Sequence, residues 1–313
     1  MSLNELIEML REILQMPFSY LLSPAKRVFI PYLISSFILA LFVYFRTKQR
    51  DSFMNYFFSK KRWLGSSAIV DYGFMFINSL IKVIFVAPIL FLILYIAEGI
   101  NDFLFEQFGE SNFNWSVGVI AIVYTIVIVV VNDFFSFLIH YLMHKVPFLW
   151  RFHKIHHSAT ELNPFTQYRL HPVEIIINNL RGIMVKAVIT GLFLYLANGI
   201  PNIITIIYEI NILNFLFLFF GANLRHSHVK LTYWNRLETI LISPFQHQIH
   251  HSNAARHYNK NLGSKLAIWD WMFGTLIKSK DVSNVTYGLG NEDKDYNSFL
   301  KNLINPFLVK KSK

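Results

Sequence analysis

The chain has 313 residues, of which 54% are hydrophobic and 15% charged, with 31 Phe, a balance that excludes an ordinary water-soluble enzyme and points to an integral membrane protein. The absence of cysteine excludes disulfides, thiolate metal sites, iron–sulfur clusters and cysteine nucleophiles, so a metal here must take nitrogen and oxygen ligands. The net charge of +10 sits in short basic runs beside apolar stretches, which fits lipid headgroups and topology setting and argues against nucleic acid.

Residues 1–26 mix Glu and Arg with apolar side chains and lack the basic-then-apolar order of a cleaved signal peptide. They read as an amphipathic segment, either interfacial or a short solvated helix. Residues 27–115 form a transmembrane region. Val28–Phe45 and Leu80–Ala97 approach the roughly 20 apolar residues of a span, and between them lies a basic loop with Arg46, Lys48, Arg50, Lys60, Lys61 and Arg62. Residues 116–277 open with a third span, Val117–Ile139. Within them Gly182–Ala197 and Ile203–Ala222 flank a Gly/Pro/Asn turn at 198–202 and read as a helical hairpin. Lys186 and Glu209 leave open whether both arms cross. Residues 278–313 form a tail ending in lysines.

The loop after the second span carries Asp102, Glu106 and Glu110 and no basic residue, so the first loop is expected to be cytoplasmic and the second to face out. The third span then returns and delivers His140 and His144 to its cytoplasmic end, with the N-terminus outside. The expected fold is an all-α integral membrane protein, with about three to five membrane helices and a cytoplasmic helical cap carrying a histidine-rich site for two metals.

All twelve histidines lie between His140 and His257. Eight form three blocks: an HxxxH of His140 and His144, an HxxHH of His153, His156 and His157, and a second HxxHH of His247, His250 and His251. At about 100° per residue, each block falls within roughly a quarter turn of one helix face. Imidazole is the commonest protein ligand for transition metals and suits iron, zinc, copper and nickel. Eight are more than one mononuclear site can use, and adjacent histidines pointing slightly apart suit two metals. An isolated histidine on an apolar helix is usually structural, and a solvated histidine tract would show runs without helical spacing; three spaced blocks fit neither reading.

Of the other four, His226 is read as a further ligand. His228, about 200° away if the segment is helical, would then not share that site, and is read as a support around the ligands rather than as a ligand. His171 precedes a proline and reads as a brace; His257 reads as a loop anchor. Metal-bound imidazoles donate their outer N–H to carboxylates or carbonyls. Asp133, on the same helical face as His140 and His144, is the main candidate for that acceptor, and an Asp in an apolar span needs a partner. Glu174 and Asp270 are weaker candidates that could instead cap or pair at helix ends. No HExxH zinc motif is present. So many imidazoles on a membrane protein favour an oxygen-activating di-iron centre, though zinc could occupy the site on purification. The alternative is a membrane protein that binds or transports metal without catalysis, but transport would spread ligands along the spans rather than gather them at one end.

HxxxH, eight residues, HxxHH, eighty-nine residues, HxxHH resembles the fatty acid hydroxylase/sterol desaturase superfamily of membrane non-haem di-iron enzymes. Further similarities are His156-His157-Ser158, the run Arg169–Glu174, and Trp269–Thr275. The resemblance spans about Asp133 to Leu276 and carries the eight block histidines over as ligands, with His226 matching the family's additional histidine. His228 departs from the commoner Asn. The resemblance implies two iron ions, reduced by an external donor, that use O₂ to hydroxylate or desaturate a C–H bond of a lipid: a fatty acyl chain, sterol, sphingoid base or ether lipid. No cytochrome b5-like module or dinucleotide-binding glycine motif is visible. The electron donor is therefore expected to be a separate protein, cytochrome b5-like or ferredoxin-like.

Overall fold

Three helical segments of the computed structural model, which describes residues 3–48, 51–198 and 212–308, are long and apolar enough to cross a membrane: Ser66–Phe108, Val117–Lys145 and Pro172–Leu196. Before them come α1 (Leu3–Ser19), α2 (Ile30–Arg46), α3 (Phe53–Phe58) and α4 (Lys60–Leu64). The first long segment contains α5 (Ser66–Ile81) and α6 (Leu92–Phe108). They are joined by a π-turn over Lys82–Val86 and a 3-10 turn over Ala87–Ile89. Pro88 explains the break, since it has no N–H to donate and its ring crowds the carbonyl four residues earlier.

The second long segment is α7 (Val117–Lys145), capped by Ser116, whose hydroxyl accepts the Val119 N–H. Its 29 residues make a rod of about 43 Å, longer than the roughly 30 Å hydrocarbon layer, so its last turns can project beyond the bilayer core. Val146-Pro147 ends it, because the residue before a proline disfavours helix. The chain turns there into α8 (Pro147–His157), which packs back against α7.

The third segment, α9 (Pro172–Leu196), lies closely along α6 and also packs on α7. Gly191 makes the α6 contact possible: a Cβ there would stand 2.7 Å from the Ala97 carbonyl oxygen. Tyr124 of α7 and Thr190 of α9 share a buried hydrogen bond of 3.1 Å, beside a core of Ile120, Val185, Ile189 and Phe193. The outward faces keep large apolar side chains exposed, among them Ile122, Ile126, Met184 and Val188, as a lipid-facing surface requires.

At the far end, the Asn198 side chain pairs with the backbone of Ser111 in both directions, at 2.9 and 3.0 Å. Everything else described lies toward the opposite end, where α8, the loops and the short helices after Ile212 form a cap. The expected hairpin turn at 198–202 and the start of its second arm fall outside the described residues; the end of that arm is the helix Ile212–Phe219.

The structure corrects the first expected span. α2 has 17 residues, and both of its ends meet the same stretch of the cap. Near its start, Tyr32 packs with Leu218 and Ala222, and the Asn223 side chain donates to the Arg27 carbonyl. Near its end, Ala40 and Val43 pack with Leu224, Val229 and Tyr56. α2 therefore runs along the cap, and hydropathy alone could not distinguish that from a crossing. Without this crossing, the described part of the N-terminal region falls on the same side as the basic loop and the histidines, contrary to the expected outside N-terminus.

Candidate metal centre

Local sequence places each histidine. His140 and His144 are one turn apart at the end of α7, and the Pro147 turn lays His153 and His157 of α8 beside them. Gly221, in the left-handed region with φ +96°, leads into the 3-10 turn Ala222–His226 that presents His226. The third block rides on the helix Pro244–His250. Its start is fixed by a reciprocal cap, in which the Ser243 hydroxyl accepts the Gln246 N–H and the Gln246 side chain accepts the Ser243 N–H.

Nine histidines come together as two groups. His140, His144, His153, His157 and His250 form one; His156, His226, His247 and His251 form the other; in each, the candidate ligand nitrogens lie within 4.8 Å of one another. The division follows helical spacing. Pairs four apart (140/144, 153/157, 247/251) stay in one group, and the remaining member of each HxxHH crosses to the other. α8 thus gives two imidazoles to the five-histidine group and one to the four-histidine group, and the helix Pro244–His250 with His251 does the reverse.

The nitrogens face inward. Nε2 of His153 lies 3.1 Å from Nε2 of His140 and 3.3 Å from Nε2 of His157. In the other group the Nε2 separations are 3.3 Å for His156–His226, 3.2 Å for His226–His247 and 3.2 Å for His247–His251. Bonds of about 2.0–2.1 Å to one metal give ligand-to-ligand edges of about 3.0–3.4 Å, so these spacings fit a shared ion. The Nε2 atoms of His144 and His250 are buried without a hydrogen-bond partner, as atoms reserved for a metal would be.

The outer nitrogens explain the orientation. Nδ1 of His140 donates to the Leu262 carbonyl at 2.7 Å, that of His250 to the Lys260 carbonyl at 2.9 Å, and that of His156 to the Arg169 carbonyl at 3.3 Å. Nδ1 of His153 donates to the Glu174 carboxylate at 2.9 Å. Each bond fixes the tautomer that aims an Nε2 lone pair at the centre. Burial pushes His156 down to about 3, and drives His153, His157, His226, His247, His250 and His251 well below the usual imidazole range. All are neutral at physiological pH, the form that binds metal.

A cavity of about 720 Å³ reaches both groups, through His140 and His153 on one side and His156, His226 and His247 on the other. Met143, Leu170 and Ile175 give it apolar walls, and Val86, Ala87 and Leu90 line it beside the break in the first long segment. Its size suits a drug- or lipid-sized ligand.

The other expected site residues lie as follows. Asp133 is fully buried but touches no imidazole: its Oδ2 accepts the Leu266 N–H at 2.9 Å and the Trp269 indole N–H at 3.1 Å. Asp270 accepts from the N–H groups of Leu262 and Gly263, each at 2.7 Å, and from the Thr275 hydroxyl at 2.6 Å. Both carboxylates thus hold the 262–269 loop whose Leu262 carbonyl supports His140. Glu174, read only as a weak candidate, is the carboxylate that meets a clustered histidine.

His171 caps α9 by accepting the Val173 N–H at 3.2 Å, donates to the Leu303 carbonyl at 3.2 Å, and joins neither group. His228 packs edge-on against Tyr56, with ring centroids 4.5 Å apart, and His257 accepts from Arg256 at 3.1 Å. Sequence reasoning did not single out Asp71. Its Oδ1 pairs with the buried Arg169 at 2.6 Å, and its Oδ2 accepts from Asn163 and Thr166, so α5 anchors the segment whose carbonyl supports His156. The signal available was a carboxylate inside an apolar helix.

The sequence profile of the fatty acid hydroxylase family matches residues 125–275. The ornithine lipid hydroxylase OlsE of Rhizobium tropici is 29% identical over 57% of this chain and 48% of its own length. The alkylglycerol monooxygenases of Homo sapiens and Xenopus tropicalis are 27% and 26% identical, over 50% and 53% of this chain and 31% and 33% of their own lengths. The chain therefore spans about half or less of these relatives. No solved structure matches it. The stretch similar to the fatty acid hydroxylase family, residues 125–275, contains all nine clustered histidines.

Proposed function

We propose that the chain is a membrane lipid hydroxylase that holds two iron ions, one in each histidine group. The observation that carries this reading is that two adjoining all-imidazole groups, five and four histidines strong, both open onto one cavity. When bound, the irons supply the activation of O₂ that inserts oxygen into an unactivated C–H bond. The balance is one C–H, one O₂, two electrons and two protons giving one C–OH and one water. A separate protein, cytochrome b5-like or ferredoxin-like, delivers the electrons.

The chain's own contribution is placement and exclusion of water. Glu174 and the carbonyls of Leu262, Lys260 and Arg169 hold four imidazoles in the metal-binding tautomer. Asp133 and Asp270 keep the 262–269 loop closed over the first group, and the apolar walls place lipid carbon beside the histidines. A lipid substrate is supported by the relatives, one named for ornithine lipid and the others for alkylglycerol; both names denote hydroxylation or monooxygenation and favour it over desaturation. The basic residues Arg46, Lys60, Lys61 and Arg62 lie on the cap side and the acidic stretch after Asp102 on the other, which supports a cytoplasmic site.

Incubating the reconstituted protein with ¹⁸O₂, a chemical reductant and a total lipid extract tests the reading. The expected product is a lipid carrying a single ¹⁸O atom. Absence of any O₂-dependent lipid product from fully iron-loaded protein would refute it.

A further inference from the structure

Four cations line the cavity, Lys26, Arg27, Lys82 and Arg225, the last of which donates to the backbone carbonyls of Ile242 and Ser264. None takes part in an ion pair among the described residues, where the carboxylates of Glu8, Glu161, Glu174, Glu292 and Asp71 pair with other groups. Lys82 is the first residue of the π-turn, inside a membrane-crossing segment. Its Nζ lies 3.4 Å from the Tyr20 hydroxyl and 5.2 Å from the Tyr20 ring centre, and Lys26 Nζ lies 5.0 Å from the same ring. Tyr20 is itself buried and stacked on Tyr168 at 5.7 Å. Two ammonium groups are thus drawn to one ring, Arg27 opens into the same cavity, and among the described residues no carboxylate forms an ion pair with any of the three. Burial, and then the nearby Lys82, lower Lys26 from the usual lysine range.

Ionisable side chains at membrane depth are costly, and they persist where a partner or ligand satisfies them. The aromatic ring offsets only part of that cost. Two point charges and one planar fork opening into the same cavity match an oxyanion with several acceptor oxygens. We propose that Lys26, Arg27 and Lys82 form a receptor for the anionic headgroup of the lipid substrate, gripping its phosphate or carboxylate oxygens while its hydrocarbon reaches the histidines. This rests on the hydroxylase reading for the word substrate; the binding itself does not.

The test is direct binding of two probes with identical acyl chains, phosphatidic acid and diacylglycerol, to the full chain in a non-ionic detergent. Phosphatidic acid should bind at least about tenfold more tightly, the 1.4 kcal/mol expected of one charge-assisted hydrogen bond. In the Lys26→Met/Lys82→Met variant the preference should fall to within about twofold, with diacylglycerol binding unchanged. The Lys26→Arg/Lys82→Arg variant, which keeps the charge, should retain it. Equal binding of the two probes by the native chain, or a preference that survives in the methionine variant, would overturn the proposal. So would loss of preference in the arginine variant, or displacement of phosphatidic acid by millimolar inorganic phosphate, which would mark a free-anion site. Because binding is read without turnover, failure of hydroxylation leaves this result standing, and failure of the preference leaves hydroxylation untouched.

Discussion

The two histidine groups use the same side chain and differ in what stands behind it. In the five-histidine group, three imidazoles are backed by a carbonyl or carboxylate of another loop or helix, His140 by Leu262, His250 by Lys260 and His153 by the Glu174 carboxylate, and a fourth, His144, by the Asn259 side chain. In the four-histidine group the described outward hydrogen bond to a carbonyl is that of His156 to Arg169. The surroundings there are cationic. Arg225 is fully buried next to His226, donating to the carbonyls of Ile242 and Ser264, and burial with Arg27 nearby pushes it down to about 9. A carboxylate behind an imidazole raises its basicity and steadies a bound cation, whereas a neighbouring guanidinium opposes that cation. Identical ligands therefore need not make equal sites, and the five-histidine group should hold its metal more tightly.

Changes to the ligands themselves should separate the two groups most strongly. His156→Ala should reduce turnover to background and remove one metal per chain while the protein stays in the membrane. Full activity in that variant would sink the assignment of the four-histidine group. Glu174→Gln should weaken metal at the five-histidine group by about 10–100-fold and leave the other group unchanged, read as convergence of two loading steps in a metal titration. If the two steps already coincide in the native chain, the asymmetry is wrong.

Asp270→Asn should cost about 1–3 kcal/mol in stability, because the N–H groups of Leu262 and Gly263 lose a charged acceptor. The loosened Leu262 carbonyl should also mildly weaken metal at the five-histidine group only. Gly191→Val, far from both groups, should cost about 1–3 kcal/mol by overpacking α6 against α9 and lower the melting temperature with metal content unchanged. A change in metal content there would mean that the membrane helices and the cap are coupled more tightly than their packing indicates.

Much of this was legible in the sequence because helices impose a period. The one-turn spacing within each block places its histidines on one face, and the structure puts those faces together. Which imidazole joins which group was not legible, because that depends on how α7, α8 and the helix Pro244–His250 cross. Asp133 illustrates the limit: it shares a helical face with His140, yet its carboxylate turns to Leu266 and Trp269, more than 130 residues away in sequence. Glu174 reaches His153 because the loop anchored by Arg169 and Asp71 folds the first turn of α9 onto α8, a tertiary event that no local pattern signals. α2 failed as a span for a related reason: hydropathy records how apolar a helix is, not whether it lies along or across the layer. Lys26 and Lys82 stand 56 residues apart and became a pair only when α1 and α5 packed.

The central claim is that nine histidines hold two irons. It is tested most directly by counting metal on anaerobically purified protein and recording its Mössbauer spectrum. Two irons per chain, in two distinguishable environments, is the result expected. A single zinc per chain, with no iron bound on reconstitution, would contradict the account.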